Sequence, residues 1–357
     1  MLELFMGKRE SRRRQAGRSG RYRWLRVLCA VLLLAAAVCP VMPQQTYAAA
    51  KTPVEQYGRL AVRKGQLVDR NGKAVQLKGV SSHGLSWYPQ YMNEQAFRTM
   101  RDKWGVQIVR LAMYTAEYNG YCTSDAANQK KLRTQIYDAV DAAEKLGMYV
   151  IIDWHVLSEG NPNKHKAEAK KFFAKMAKQY AGQDNVIYEI CNEPNGNITW
   201  KKHVKPYAKK IIKVIRKYDK KGVIIVGTPT WSQDVDTAAA DPIKGRKNIM
   251  YALHFYAATH KEWIREKLKT AHKKGLPVIV SEFSICDASG NGSLDKSSGN
   301  AWMKLLDEYN ISYCAWSLCN KAESASLIAS SCSKTGGWDW NDLSPAGKWY
   351  FAKTTGR

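Results

Sequence analysis

The chain has 357 residues, of which 45% are apolar and 24% charged. This is the balance of a globular protein and excludes a disordered or fibrous one. Lys and Arg exceed Asp and Glu by 25. The one long apolar run, 16 residues from Val27 to Met42, falls short of the about 20 that a bilayer span needs, which excludes a polytopic membrane protein. No repeat of roughly 20–50 residues points to a solenoid or propeller.

Arg12, Arg13, Arg14, Arg18, Arg21, Arg23 and Arg26 precede the apolar run, and Ala48-Ala49-Ala50 follows it. A basic flank, a short apolar segment and small residues make a secretory signal peptide over 1–50. Cleavage near residues 48–50 and release as a secreted, extracellular protein are expected. Residues 51–60 then read as an N-terminal linker and 61–357 as one catalytic domain.

Residues 1–50 hold nine basic and two acidic side chains, so the remainder keeps 47 and 29, a net charge of +18. Nucleic-acid binding is one reading of such a balance. In 200–219, however, Val204, Tyr207, Ala208, Ile211, Ile215 and Tyr218 form a stripe of helical period. Lys202, Lys205, Lys209, Lys213 and Lys217 fall largely off it, as on a solvated outer face. No nucleic-acid partner is therefore expected. The charge also suits residence near anionic envelope polymers.

Past the signal segment, a hairpin is expected over 65–76, with Gln66-Leu67-Val68 turning at Asn71-Gly72. Eight buried-strand candidates follow: 76–81, 107–113, 149–154, 186–191, 223–227, 248–255, 277–281 and 311–317. They are apolar nearly throughout rather than alternating, as strands covered on both faces are. Amphipathic stretches at 93–104, 129–146, 163–180, 202–219, 260–274 and 298–309 separate most of them, and 344–353 ends the chain. The fifth connection, 232–240, is short and weak. This alternation is that of an α/β protein, a single-domain (β/α)8 TIM barrel with a short N-terminal β-hairpin. A doubly wound sheet is the alternative, but no glycine-rich dinucleotide loop follows the first strand.

Six cysteines lie beyond residue 50. Cys191 and Cys314 sit in apolar strand-like runs and read as buried thiols. Pairing among Cys122, Cys286, Cys319 and Cys332 is open. No HExxH or Asp/His cluster argues for a metal, and no cofactor is expected; a structural calcium ion on loop oxygens stays open. His165, His203, His260 and His272 fall on expected helices and read as solvent-facing.

In such a barrel chemistry sits where the strands exit at the C-terminal face. The exits read in order Ser82-His83-Gly84-Leu85-Ser86-Trp87-Tyr88, Arg110 with Tyr114, Asp153-Trp154-His155, Asn192-Glu193-Pro194, Thr230-Trp231, His254-Phe255-Tyr256, Ser281-Glu282-Phe283, and Trp316 followed by Asn320, Lys321 and Glu323. Glu193 and Glu282 are two independent carboxylates on apolar strands. A carboxylate pair among aromatic platforms suits glycoside hydrolysis, where one acid protonates the leaving oxygen and the other attacks the anomeric carbon or activates water. Their surroundings must then differ, one raising and one lowering the pKa. Arg110 is placed to hold Glu282 ionised, and His254 and Tyr256 to orient either carboxyl.

The chain resembles glycoside hydrolase family 5, in particular its bacterial endo-β-1,4-glucanases, over residues 53–355. The strongest local match is Ile187 to Pro194, an apolar strand ending in Asn-Glu-Pro. It is joined by the Ser81–Gly84, Val109–Leu111, Asp153–His155, Gly227–Asp234, His254–Tyr256, Ser281–Phe283 and Ala315–Ser317 segments. The resemblance implies a retaining mechanism with Glu193 as acid/base and Glu282 as nucleophile. Arg110, His155, Asn192, His254, Tyr256 and Trp316 match the remaining active-site positions, Asn192 toward the sugar 2-hydroxyl. His83, Trp87, Tyr114, Trp231, Lys321 and Glu323, with Trp316, match substrate-binding positions. Phe283 stands where Trp is common and Asn320 where Asp or His is usual, and both are expected to touch substrate preference.

The implied partner is a β-1,4-glucan polysaccharide, cut by a monomeric enzyme with no membrane attachment in its mature form. A β-mannanase, or a xyloglucan- or lichenan-preferring hydrolase, is the alternative on the same barrel. A non-catalytic polysaccharide-binding protein is the alternative of another class.

Overall fold

The computed structural model describes residues 51–357. The expected signal segment, and with it the cleavage site, lies outside the described residues. Within 51–60, Pro53–Tyr57 form a one-turn helix, α1, closed at its start by a reciprocal pair of hydrogen bonds between Thr52 and Glu55.

Strands β1 (Ala61–Arg63) and β2 (Gln66–Val68) pair antiparallel. They turn at Lys64-Gly65 rather than at Asn71-Gly72. Both Lys64 (φ 49) and Gly65 (φ 76) are left-handed, the pair of positive φ values that a two-residue hairpin turn of matching twist requires. The Asn71-Gly72 turn exists as well. It closes only an isolated Val68–Ala74 bridge, because Asp69 Oδ1 takes up the amides of Asn71 and Lys73.

Eight parallel strands close into a barrel: β3 (Lys78–Ser82), β4 (Ile108–Tyr114), β5 (Tyr149–His155), β6 (Val186–Glu189), β7 (Ile224–Val226), β8 (Ile249–Tyr256), β9 (Val278–Ser284) and β10 (Tyr313–Leu318), the last pairing back to β3. The outer layer is α2 (Glu94–Trp104), α3 (Ala126–Lys145), α4 (Lys166–Gln179), α5 (Lys205–Tyr218), α6 (Val235–Ala240), α7 (Glu262–Lys273), α8 (Lys296–Glu308) and α9 (Pro345–Thr355). The amphipathic stretches thus become helices with their ends shifted by a few residues. The stripe expected in 200–219 is refined. Tyr207, Ala208, Ile211, Ile212 and Ile215 are buried, a π-turn occupies Trp200–Val204, and Tyr218 is exposed.

The inside of the barrel is stacked in levels because inward side chains recur every second residue. At the bottom, Ile108, Tyr149, Ile151, Ile187, Ile225, Met250, Ile279 and Cys314 form an apolar plug that Leu60, Leu67 and Val75 close from below. Two residues further along their strands, Arg110, Asp153 and Glu189 turn the next level polar. Strand register sets Ser81 beside Arg110 and Asp153 beside Glu189. This buried polar level carries the site above it.

Candidate active site

Arg110 is fully buried, so each guanidinium donor must find an acceptor. Nε donates to Glu189 Oε2 at 2.7 Å. Nη1 donates to Glu282 Oε2 at 3.0 Å. Nη2 donates to Asn192 Oδ1 at 2.6 Å and also lies 3.0 Å from Asp153 Oδ2. One cation thus organises three buried carboxylates and the amide preceding Glu193.

His155 is fixed from both sides. Asn192 Nδ2 donates to its Nε2 at 3.2 Å, and its Nδ1–H therefore donates to Asp153 Oδ2 at 2.6 Å. Burial, reinforced by Arg110, pushes its pKa down to about 3, so this ring is neutral. His254 behaves oppositely. Its Nδ1 is 2.9 Å from Glu193 Oε1, and its Nε2 donates to Ser281 Oγ at 2.9 Å, which donates on to Glu189 Oε1 at 2.6 Å. Burial opposes its charge, but the carboxylates of Glu189, reached through Ser281, and Glu193, bonded directly, prevail and raise it to about 9.

The two exit carboxyls are held in unlike states. Burial, and then the negative charge of Glu282, raise Glu193 to about 7. Glu282 is also penalised by burial, but His254 and Arg110 outweigh this, together with the Tyr256 hydroxyl that donates to Oε1 at 2.8 Å; its pKa falls below the ordinary value. One carboxylate oxygen of Glu193, one of Glu282 and a ring nitrogen of His254 all lie within 4.8 Å of one another.

These groups open into a cleft of about 830 Å³. At one end Trp87 meets Tyr114 edge-on at 4.7 Å, and Trp316 stacks on His155 at 5.4 Å. His83 Nδ1 accepts from the Gly84 amide at 2.8 Å, so its Nε2–H points to Glu323 Oε1 at 3.4 Å. Lys321 Nζ holds the other Glu323 oxygen at 2.5 Å. At the other end Trp231 is 46% exposed. It sits on three successive left-handed residues, Thr230, Trp231 and Ser232, a costly backbone that persists only where surroundings enforce it. Of the fourteen residues expected at the site, all but Arg110 and Asn192 line the cleft; those two stand directly behind it.

Among the described residues, two triads have metal-ligand composition, Glu193/His254/Glu282 and His83/Cys319/Glu323. In the first, His254 Nδ1 faces Glu193, and Glu282 takes Arg110 and Tyr256. In the second, the His83 lone pair is spent on Gly84. The remaining member, Cys319, has its Sγ beside the Ser317 and Ser326 hydroxyls.

Sequence reasoning assigned Glu189, Ser281 and Asp153 no role of their own, although Ser281 and Asp153 stand among the strand exits. Their signal was present: Glu189 is a charge in the apolar strand Ile187–Cys191, and such a charge needs a buried partner. His260 is corrected. It is buried rather than solvent-facing, because α7 begins two residues later and leaves it in the turn, where its Nδ1 accepts from the Tyr256 amide at 2.8 Å. Phe283 and Asn320 are also corrected. Phe283 packs outward against Phe255 and Tyr313, and Asn320 donates to the Cys332 carbonyl; neither lines the cleft.

The profile of the family described as Cellulase (glycosyl hydrolase family 5) matches residues 68–322. An endoglucanase of Clostridium saccharobutylicum is 47% identical over 86% of this chain and 67% of its own length. Endoglucanase A of Butyrivibrio fibrisolvens is 46% identical over 83% and 68%. The chain thus spans about two thirds of each relative. The catalytic domain of Thermobifida fusca endoglucanase Cel5A, solved with cellotetraose, superposes with a TM-score of 0.80 at 35% identity, covering 85% of this chain and 99% of that one.

Proposed function

The chain belongs to the cellulase family, glycosyl hydrolase family 5, and on that premise we propose that it is a secreted, monomeric endo-β-1,4-glucanase. It cleaves internal bonds of cellulose and soluble β-glucans with retention of configuration. Glu193, its carboxyl raised to about 7, gives its proton to the glycosidic oxygen while the Glu282 carboxylate attacks the anomeric carbon. Glu282 then becomes a neutral ester. The negative charge that helped to raise Glu193 disappears, so Glu193 acidifies and turns into the base that draws a proton from water. His254, hydrogen-bonded to Glu193, stabilises each carboxylate state. Arg110 and Tyr256 keep the nucleophile ionised, and Asn192, behind the cleft, holds Arg110 and His155 in place. Trp87, Tyr114, Trp231 and Trp316 offer faces to sugar rings, and His83, Lys321 and Glu323 offer polar contacts at one end.

The observation that carries this reading is the closeness of Glu193 and Glu282. Their oxygens stand too near for the intervening water of an inverting enzyme, whose carboxyls lie about 6.5–9.5 Å apart, and suit the roughly 5 Å of a retaining one. The test is reducing-sugar release from hydroxyethyl cellulose, glucomannan, xyloglucan and lichenan side by side, with the first-formed anomer read by NMR. The β-anomer from the cellulosic substrate is expected. An α-anomer overturns retention, faster cleavage of glucomannan, xyloglucan or lichenan moves the substrate assignment, and no cleavage of any overturns the enzyme.

A further inference from the structure

The cleft is not the only large concavity. A trench of about 860 Å³ opens at the opposite, N-terminal end of the barrel, between the hairpin and the loops that lead into β7, β8 and β9. Strand β8 runs from one to the other: Ile249 at its start lines the trench and Tyr256 at its end lines the cleft. A full strand, roughly 23 Å, separates them.

The trench is ringed by positive charge. The N-terminal segment supplies Arg59, Arg63 and Arg70, and the three loops supply Lys221, Arg246, Lys247 and Lys274. Its floor is apolar, with Leu60, Ile243 and Leu276 buried. The only carboxylate among its lining residues is Asp69, and that group is buried and spent on two backbone amides. Arg59 pairs with Asp184 outside the trench. Arg63, Lys221, Arg246, Lys247 and Lys274 are exposed, and none is among the ion pairs of the described residues. Unpaired lysines also stand on outer helix faces, as Lys171, Lys175 and Lys178 do on α4, but none of these lines the trench.

Like charges gathered around a concave surface focus a field into it. Six cations without a carboxylate partner, around one acid already held by backbone amides, repel one another unless something negative lies between them. A small anion satisfies two or three of them, whereas a chain carrying repeated anions satisfies the ring. The lining offers no exposed ring for base stacking, since its sole aromatic, Tyr251, is buried, which disfavours single-stranded nucleic acid.

We propose that this trench is a second binding site, for a linear polyanion with carboxylates or phosphodiesters on a carbohydrate or polyol backbone. A strand occupying it anchors the protein by its base and leaves the catalytic cleft facing away. The contact is electrostatic and weakens as salt rises.

The test measures affinity of the purified protein for polygalacturonate and for poly(glycerol phosphate) at about 50 and 200 mM salt. The trench variant is Arg63→Glu/Arg246→Glu/Lys247→Glu. The control makes the same change of net charge on the outer face of α4, Lys171→Glu/Lys175→Glu/Lys178→Glu. The trench variant is expected to lose on the order of 100-fold in affinity, roughly fivefold per contact, and the control little. Both keep wild-type hydrolysis of hydroxyethyl cellulose, which is neutral. Should the reversal not fold, Arg63→Gln/Lys247→Gln replaces it, with roughly 25-fold loss expected. The polymer bound more tightly tells carboxylate from phosphodiester. Equal losses in trench and control variants, tighter binding to DNA than to either polymer, or no binding at the lower salt overturns the proposal.

Discussion

The Nδ1 atom of His254 stands 2.9 Å from Oε1 of Glu193, while the register of β8 and β9 sets the same histidine beside Glu282. One imidazole therefore acts on both exit carboxyls, and its charge lowers the pKa of each. In His254→Gln that influence is gone, so both carboxyls become harder to ionise. The acidic limb of the pH–kcat/KM profile, set by ionisation of Glu282, moves up. The alkaline limb, set by loss of the Glu193 proton, moves up too. A profile in which only one limb moves contradicts the shared role.

The two glutamates are expected to separate by leaving group. Glu193→Ala keeps fast glycosylation on dinitrophenyl cellobioside, whose leaving group needs no acid. On cellulosic substrate it loses the roughly 10²–10⁴-fold that acid–base assistance supplies. Azide releases its accumulated intermediate as the β-azide. Glu282→Ala is inactive on both substrates, and azide rescues it only from the opposite face, as the α-azide. NMR of the azide products decides, and interchanged anomers reverse the assignment.

Arg110→Met leaves Asp153, Glu189 and Glu282 without their common cation. Breaking a buried ion pair in this way costs about 3–5 kcal/mol. Burial pushes Glu189 up, but Arg110 and then His254 hold it down to about 2. Its contribution to stability is therefore present above the ordinary carboxylate range and lost as pH falls toward 2. The variant lacks that contribution, so the gap in melting temperature is widest at neutral pH and narrows toward about pH 3. Glu282 ionises less readily too, and the acidic limb moves up. An equal gap at all pH values excludes the electrostatic account.

Gly227 follows β7 and lies against the chain that delivers Asn192 and Glu193. A Cβ there would stand 2.3 Å from the Cys191 carbonyl oxygen and 2.8 Å from that of Asn192. Gly227→Ala therefore displaces this segment, at a cost of roughly 1–3 kcal/mol. Activity on cellulosic substrate falls by more than the stability loss explains, because Glu193 shifts from the cleft. Thermal melting and kcat on the same preparation test this.

The barrel was legible because strands covered on both faces are written as unbroken apolar runs, as in Tyr149–Ile152 and Ile187–Tyr188. The exits were legible because polar residues at the ends of such runs have few structural reasons to be there. The level below was not. Glu189 takes its meaning from Asp153 across the β5–β6 register and from Arg110 two strands away, and a linear sequence does not display neighbours of that kind. The hairpin was misplaced because Asn71-Gly72 is the stronger local turn signal, whereas β1 and β2 gain their pairing from packing Leu60 and Leu67 under the barrel. His260 was misread because helical periodicity does not mark the residue at which a helix begins.

Every cysteine from residue 51 onward carries a free thiol, and five of the six are buried. Burial pushes the thiols of Cys191, Cys286 and Cys314 upward, which keeps them from the thiolate form that oxidants attack. Cohesion of the barrel thus rests on packing, and its assembly includes no oxidation step. The protein can be produced in a reducing cytosol without disulfide-forming helpers, and dithiothreitol in the buffer should leave its melting temperature where it was.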